Sequence, residues 1–475
     1  MIRAANLALM TVLLAGCSMA PAYHRPAAPV AAALPQGPAY PALAPGDGAI
    51  DAIGWHAFFG DARLQRVIDS ALANNRDLRV SVANVAAARA QYRVASAPQL
   101  PTFNAVPAAS RYHGSVSANG YTNGYGANTG GAGSDAFGIS GGFAAFEIDL
   151  WGRVRNLGQA ALETYLSTDE GRKAAQTTLV AEVANAWLTI GAQADALAVA
   201  SDTLASREQS LALARAREAQ GIGTALEVAQ AETLAQSSRS DVAVYTTALA
   251  QANTALQLLV GAPVTAADLP QTMADDAVLA TLPVGLDSAV LLRRPDVLAA
   301  EHQLQSANAS LGAARAALFP TISLTGLMGL ASGSLAGLFD GAGNFNYGVG
   351  TSASQTLFDN GAKAGNVAAA RARLDAAVAT YEKSVQGAFA DVANALARRG
   401  TIDAQLAASR ATVASAEKAA TISRARYDNG IDSGLAALDA ARTVYAARQA
   451  LVATRLARAT NMVTLYAVLG GGLKP

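Results

Sequence analysis

The chain is written twice. Gly221-Ile222-Gly223-Thr224 returns 209 positions later as Gly430-Ile431-Asp432-Ser433, and Gly152 and Gly361 keep the same offset. Further upstream the offset is 219, with Asp77-Leu78 matching Asp296-Val297 and Leu100-Pro101 matching Phe319-Pro320. The first copy therefore holds ten residues more than the second between its Leu-Pro and its Gly. A period this long is no solenoid unit, so the fold has to be two similar halves fused in one chain.

Each half leaves room for a very long helix. Proline is absent from Ala108 to Ala262 and from Thr321 to Lys474. The runs from Gly152 to Gly221 and from Gly361 to Gly430 would each span roughly 100 Å as a straight helix. A second helix of about half that length follows each turn, ending near Gly261 and Gly470. In the second copy Leu374, Val378, Tyr381, Val385, Ala388, Val392 and Ala395 recur at steps of four and three. After Arg399 the register resumes with Ile402, Leu406, Ser409, Val413, Ala416 and Ala420, which is a heptad seam. Thr224 and Glu227 have the spacing of a capping box, and Ser433 is expected to cap its own helix without a matching glutamate. A shorter helix from Asp61 to about Ala97 opens the first copy, with Leu64, Ile68, Leu72, Leu78, Val82 and Val85 along one side.

Strands precede each long helix. Phe345, Tyr347, Val349, Thr351 and Ala353 alternate with Asn346, Gly348, Gly350, Ser352 and Ser354, the dyad pattern of a membrane barrel strand with a wet lumen. Ile322, Leu324, Met328 and Leu330 mark its mate, and 102–112 with 137–149 form the corresponding pair of the first copy. Between those two lies a loop dense in Gly, Asn and Ser, with Tyr121 and Tyr125, expected to face the outside. A soluble β-hairpin shares this local pattern, but the long helices weigh against it. Four strands cannot close a barrel, since the smallest bacterial ones have about eight. Three copies would supply twelve strands and twelve helical rods.

The N-terminus points to the cell envelope. One early cation, Arg3, precedes an apolar run from Leu7 to Leu14 that is too short to span a bilayer and ends in Leu14-Ala15-Gly16-Cys17. This resembles a bacterial lipobox, in which Cys17 becomes the lipidated first residue, and Ser18 beside it favours outer-membrane sorting. An ordinary secreted protein with a chance cysteine is the plainer alternative. Each attached acyl chain would gain ~0.8 kcal/mol per buried methylene. From Ser18 to about Asp51 the chain is proline-rich and reads as an extended arm.

Composition excludes other classes. Lys plus Arg and Asp plus Glu are equal at 35 each, so no basic stripe suggests nucleic acid. Four scattered histidines and one cysteine offer no metal site and no Cys/His nucleophile. Glu301-His302 is a lone neighbour pair, expected at the surface. No catalytic constellation, metal or cofactor is expected beyond the covalent lipid on Cys17, and the chain does not read as an enzyme.

Taken in order, Leu14-Ala15-Gly16-Cys17, Tyr23-His24-Arg25-Pro26, Phe59-Gly60-Asp61, Asn74-Asn75-Arg76-Asp77-Leu78, Glu147-Ile148-Asp149-Leu150-Trp151-Gly152-Arg153, Arg293-Arg294-Pro295-Asp296 and Leu357-Phe358-Asp359-Asn360-Gly361 form one set. With the two turns they resemble the TolC family of outer-membrane efflux channels, in its OprM/NodT-like lipoprotein branch, which serves resistance-nodulation-division pumps. The resemblance covers nearly the whole mature chain. It implies a mainly α fold with a transmembrane β-barrel, twelve-stranded in a homotrimer with four strands per protomer, continuous with a periplasmic helical barrel and an equatorial collar. The expected divisions are a signal peptide at 1–16, an arm and equatorial segment at 17–60, a first repeat at 61–260, a linker at 261–292, a second repeat at 293–469 and a tail at 470–475.

The same resemblance implies roles. Gly221, Ile222, Gly223 and Thr224, with Gly430, Ile431, Asp432 and Ser433, would meet a periplasmic adaptor, the membrane fusion protein, which links the channel to an inner-membrane transporter. Asp432 and Asp439 match acidic positions near the periplasmic constriction, where a threefold acidic ring would favour cations. A plainer reading leaves both carboxylates in the first turns of a helix, where they are favourable by ~0.3 to 1 kcal/mol. Apart from the resemblance, Arg217 and Arg426, at matching places just before the turns, are candidates to bind those carboxylates across helices. The function implied is the outer-membrane conduit of a tripartite pump exporting drugs or toxic small molecules. Alternatives are an outlet for type I protein secretion or heavy-metal export, or a structural envelope-spanning lipoprotein, which has no need of duplicated strand pairs.

Overall fold

The computed structural model describes residues 18–40, 54–112, 134–273, 288–340, 344–471 and 473. Cys17 and the loop with Tyr121 and Tyr125 lie outside these. In chain order the elements are α1 (Trp55–Phe58), α2 (Ala62–Asn74), α3 (Arg76–Ser96), β1 (Asn104–Tyr112), β2 (Ser134–Glu147), α4 (Arg153–Ala219), α5 (Ala225–Val260), α6 (Pro295–Ala316), β3 (Thr321–Ser332), β4 (Phe345–Ser354), α7 (Ala362–Asp428) and α8 (Gly434–Val468). The long helices α4 and α7 are equal at 67 residues. Among the described residues no helix is long and apolar enough to cross a membrane.

The duplication is visible in the backbone. Gly152 and Gly361, Gly221 and Gly430, and Gly261 and Gly470 all take φ between +72° and +88°, in pairs 209 apart. These open and close the long helices and end the short ones, where a left-handed residue turns the chain out of the helix at no steric cost to glycine.

The described residues fall into two compact units. One takes in 1–26, 86–167 and 300–380. It holds an antiparallel sheet in the order β1-β2-β3-β4, whose open edges are β1 and β4. Both hairpins share one register: Asn104 pairs with Gly142, and their second-copy counterparts Ser323 and Ser352 pair with each other. The β2–β3 ladder passes from Phe143–Gly326 to Phe146–Leu324, so β2 carries a bulge, and Ala145 takes φ +53° there. One of the ten extra residues of the first copy is therefore the bulge, and the other nine fall between β1 and β2. Pro107 sits within β1, opposite Ile139.

Beneath the sheet α6 packs on α4. Ser306 Oγ donates to the Ala160 carbonyl at 2.8 Å and lies 3.0 Å from Thr164 Oγ1. Trp151 stacks on Phe319 at 4.7 Å while its indole N–H donates to the Pro320 carbonyl at 3.0 Å. The family motif around Trp151 thus fastens one repeat to the other.

The arm is fastened to the same helices. Asn156 Oδ1 accepts from Ser18 Oγ, the Asn308 amide donates to the Pro21 carbonyl, and a side chain on Gly312 would strike Ala20 at 2.6 Å. Glu301 accepts from Tyr23 and, at both oxygens, from Arg25 at 2.8 and 2.7 Å. Glu301 and His302 are therefore not a surface pair. Glu301 is 5% exposed, and His302 Nδ1 lies 2.7 Å from the buried Glu163. The arm and α4 supply the partners that make burial of these groups tolerable.

The other unit takes in 27–85, 168–299 and 381–475. Tyr381, Val385, Ala388, Val392, Ala395, Ile402, Leu406 and Ala416 are buried, the expected seam. Phe58 stacks on Tyr466 at 4.0 Å, and Asp61 caps α2 by accepting from the Arg63 N–H at 2.8 Å. The Arg63 guanidinium on this carboxylate holds its pKa below the usual aspartate range. Asp61 to Ala97 is not one helix: Asn75 is extended at ψ 132°, and α2 and α3 meet there. Its amide donates to the Leu259 carbonyl while its Oδ1 accepts from the Leu78 N–H. Turned by this break, Val82 is exposed.

Arg294 ties three helices together. Its guanidinium forks onto Asp296 at 3.0 and 2.7 Å, reaches Asp391 at 3.2 Å, and donates to the Val468 carbonyl at 3.0 Å. The Arg-Pro-Asp motif joins the start of α6 to α7 and α8.

Candidate functional site

The two helical turns are built on one plan and finished differently. Gly221 N–H donates to the Glu218 carbonyl at 2.8 Å and Ile222 N–H to that of Arg217 at 3.0 Å. Gly430 and Ile431 repeat this with Tyr427 and Arg426 at 3.0 and 2.9 Å. In the first turn Thr224 and Glu227 form a reciprocal capping box at 3.2 Å each way. Gly223 has no room for a side chain, since a Cβ would lie 2.9 Å from the Glu218 nitrogen.

Asp432 replaces Gly223 in the second copy and changes the closure. It accepts both arms of Arg426, at 2.5 and 3.1 Å. Ser433 makes no side-chain capping bond, contrary to the sequence expectation; the Asp432–Arg426 fork closes this turn, and the residue at the glutamate position is Ala436. Arg217 is the counterpart of Arg426, but with glycine at 223 it has no local carboxylate. Instead it lies over the Tyr427 ring at 5.0 Å, with Arg424 at 6.0 Å from the same ring. The expectation that both arginines bind these carboxylates across helices is met by neither: Arg426 binds Asp432 within its own turn, and Arg217 lies over the Tyr427 ring. Asp439 pairs along its own helix with Arg442 at 2.6 Å.

The hydrogen bonds and charge of Arg426 hold the Asp432 carboxyl below the usual aspartate range. A depressed carboxylate pKa favours the closed turn above the ordinary value of about 3.9 and ceases to do so as pH falls through the lowered one. The fork therefore persists across neutral pH. Amide exchange at Gly430 and Ile431 is expected to quicken with Asp432→Asn at pH 7, and the difference is expected to shrink only as pH falls through the lowered pKa of Asp432, below the ordinary aspartate range.

Apolar groups crown both turns. Ile222 and Ile431 are 65% and 63% exposed, and Leu226 and Leu435, one turn along the following helices, are 66% and 59% exposed. Exposed apolar side chains paired at two equivalent tips mark a contact surface. Behind them Leu211, Ala214, Ala231 and Ala235 form a small core. Reciprocal bonds from Tyr445 to Asp241 and from Tyr245 to Gln449, both 3.0 Å, join α5 to α8. Leu226, Leu435 and Tyr427 were not singled out from sequence, although the 209 offset between the two leucines was there to be read.

The family model described as "Outer membrane efflux protein" matches residues 67–262 and again 286–471. The chain belongs to the outer membrane efflux protein family. Among curated relatives, the toluene efflux pump outer membrane protein TtgC of Pseudomonas putida is 41% identical over 469 residues, covering 98% of this chain and 95% of the relative. The antibiotic efflux pump outer membrane protein ArpC of Pseudomonas putida gives the same identity and the same coverage. Among solved structures, the open state of the Neisseria gonorrhoeae MtrE outer membrane channel superposes with a TM-score of 0.84 at 36% identity, covering 96% of this chain and 99% of that one. This outer membrane efflux protein is thus a non-enzymatic channel component of an efflux system, resident in the outer membrane. Its doubled family match spans the two copies first seen as repeated glycine turns.

Proposed function

We propose that three copies of this chain form the outer-membrane outlet of a tripartite pump, engaged at the turns by a periplasmic adaptor and driven by an inner-membrane transporter of the resistance-nodulation-division type. The observation that carries the reading is the pair of equivalent tips, each with an exposed isoleucine and leucine. Small apolar toxicants and antibiotics are the proposed cargo, because relatives of equal identity are named for toluene and for antibiotics. Such a spread fits an outlet that leaves selection to its transporter.

Cys17 carries the lipid in this proposal, and Ser18, bound to Asn156, would hold the anchor close to α4. Asp432 and Asp439 narrow the resting tip, and engagement of the adaptor shifts the population toward a dilated arrangement. Expression in a host lacking its own outlet, with the cognate adaptor and transporter, is expected to restore resistance to toluene and to antibiotics and to incorporate labelled palmitate at Cys17 but not in Cys17→Ser. Neutral Asp432→Asn with Asp439→Asn is expected to raise conductance in a planar bilayer; an unchanged conductance removes the two carboxylates from the gate. Restored export of a protein substrate alone would transfer the chain to secretion.

A further inference from the structure

A cavity of about 310 Å³ opens where the arm lies across α6 and α7. Part of the motif Tyr23-His24-Arg25-Pro26 lines it, through Tyr23, His24 and Pro26. The Arg25 guanidinium and the Tyr23 hydroxyl donate to Glu301, and the Pro21 carbonyl accepts from Asn308 at 2.9 Å, so this stretch of arm is pinned at both ends. Leu304 and Leu311 of α6, with Leu374 and Val378 of α7, supply an apolar wall. The volume is at the lower end for sites that hold a small molecule. It suits a headgroup and the first part of a chain, not a whole lipid.

The charges in the lining do not balance. Arg315 stands in the last turn of α6 and is only partly exposed, yet among the described residues it makes no hydrogen bond and no ion pair. Arg371 of α7 lies 3.9 Å from Asp375, an ion-pair distance too long for a hydrogen bond. Two guanidiniums against one carboxylate leave the cavity one positive charge in excess, with His24 neutral. The end of a helix favours a cation by itself, which would account for Arg315 as a solvated terminus. It does not account for a second guanidinium, from another helix, on the same walled space.

Position selects the ligand. Just after Arg315 come Leu318 and Phe319, 42% and 38% exposed, and then β3 begins at Thr321. In a chain resident in the outer membrane these side chains mark the periplasmic edge of the hydrocarbon, and a cation one helical turn before them falls at the level of the lipid phosphates. We propose that the cavity holds the headgroup of an anionic glycerophospholipid of the periplasmic leaflet, of the phosphatidylglycerol type. Its phosphodiester accepts from Arg315 and Arg371 and cancels the excess charge. Its headgroup hydroxyls donate to Asp375, and the start of one acyl chain lies on the leucines of the wall. A zwitterionic headgroup leaves the excess charge in place and brings an ammonium beside two guanidiniums.

The site depends on residence in the outer membrane and not on cargo, adaptor or transporter, so its failure leaves the efflux reading standing. Native mass spectrometry of the detergent-purified full-length protein reads the occupancy, with phosphatidylglycerol, phosphatidylethanolamine or the chain-free headgroup glycerophosphoglycerol added in turn. Phosphatidylglycerol is expected to be retained at one molecule per chain, roughly tenfold more tightly than phosphatidylethanolamine, and Arg315→Gln to weaken it by roughly tenfold. Arg371→Gln should act the same way, and Arg315→Lys should recover only part of the loss, because the charge returns without the fork. Ala22→Trp fills the cavity without changing its charge and is expected to expel the lipid. Arg373→Gln, an exposed arginine of α7 outside the cavity, is expected to change nothing. Unaltered retention in either Arg315→Gln or Ala22→Trp, or an equal loss in Arg373→Gln, overturns the site, since the lipid then merely adheres to a basic surface. A preference for phosphatidylethanolamine overturns the charge argument, and glycerophosphoglycerol held as tightly as the lipid overturns the membrane as the source. Retention by Cys17→Ser alone gives the cavity to the chain's own acyl group and overturns the proposal as well.

Discussion

Replacement of Ile222, Leu226, Ile431 and Leu435 by aspartate is expected to abolish export while leaving the trimer intact. The four side chains are more than half exposed, so their loss takes little buried apolar area from the tips. Their removal therefore acts on the partner surface. Anchors in the desolvated centre of an interface typically cost about 2 kcal/mol or more each on truncation, and a single such loss weakens binding roughly 30-fold. A charge placed there adds an unpaired carboxylate to the contact. Resistance in the reconstituted host should fall to that of the strain without an outlet, with normal amounts of trimer in the outer membrane. Two half-sets separate the tips: Ile222 with Leu226, and Ile431 with Leu435. If each half-set alone abolishes export, the adaptor engages both tips; if only one does, the adaptor reads a single class of hairpin.

Arg294→Ala is the second large effect, and it acts on stability. The guanidinium is 11% exposed and bridges Asp296, Asp391 and the Val468 carbonyl. Its loss leaves that carbonyl without its donor and sets two carboxylates together without a cation. A loss of about 2–3 kcal/mol is expected, below the full cost of breaking a buried pair because both carboxylates keep access to water. Arg294→Lys restores the charge but not the fork, so it should recover only part of the loss. Urea unfolding of the detergent-purified protein measures both, and an alanine variant as stable as the parent would reduce the Arg-Pro-Asp motif to a sequence marker.

Much of this was legible because the message is repeated. The left-handed glycines could be found from their 209 offset alone, and the seam from Tyr381 to Ala416 from its steps of four and three. Strand pairing within each hairpin followed from alternation. What stayed hidden was decided by contacts distant in sequence. Glu301 and His302 read as surface because nothing nearby announces that Arg25 and Glu163 will meet them. The helix break at Asn75 was concealed because an asparagine mid-pattern costs little locally, and only the Leu259 carbonyl reveals its use. Ser433 makes no capping bond, and the turn is held instead by the fork from Arg426 onto Asp432, a partner six residues away that the cap pattern does not announce. At the tips the turns themselves could be read from their repeated glycines, whereas Leu226 and Leu435 were missed because exposure of a leucine one turn into a helix is decided by packing that the sequence does not print.

Pro107 carries a consequence for assembly. Its ring stands in β1, at an open edge of the sheet, where it withholds one amide hydrogen from any strand that approaches. In a finished barrel the loss is one bond in a long ladder. For a newly exported monomer, still in water and still carrying two raw edges, the same missing hydrogen is a safeguard: edge-to-edge growth into fibrils proceeds through uninterrupted ladders, and this edge cannot supply one. The one proline of the sheet thus stands on an edge strand, where its missing hydrogen costs the fold least.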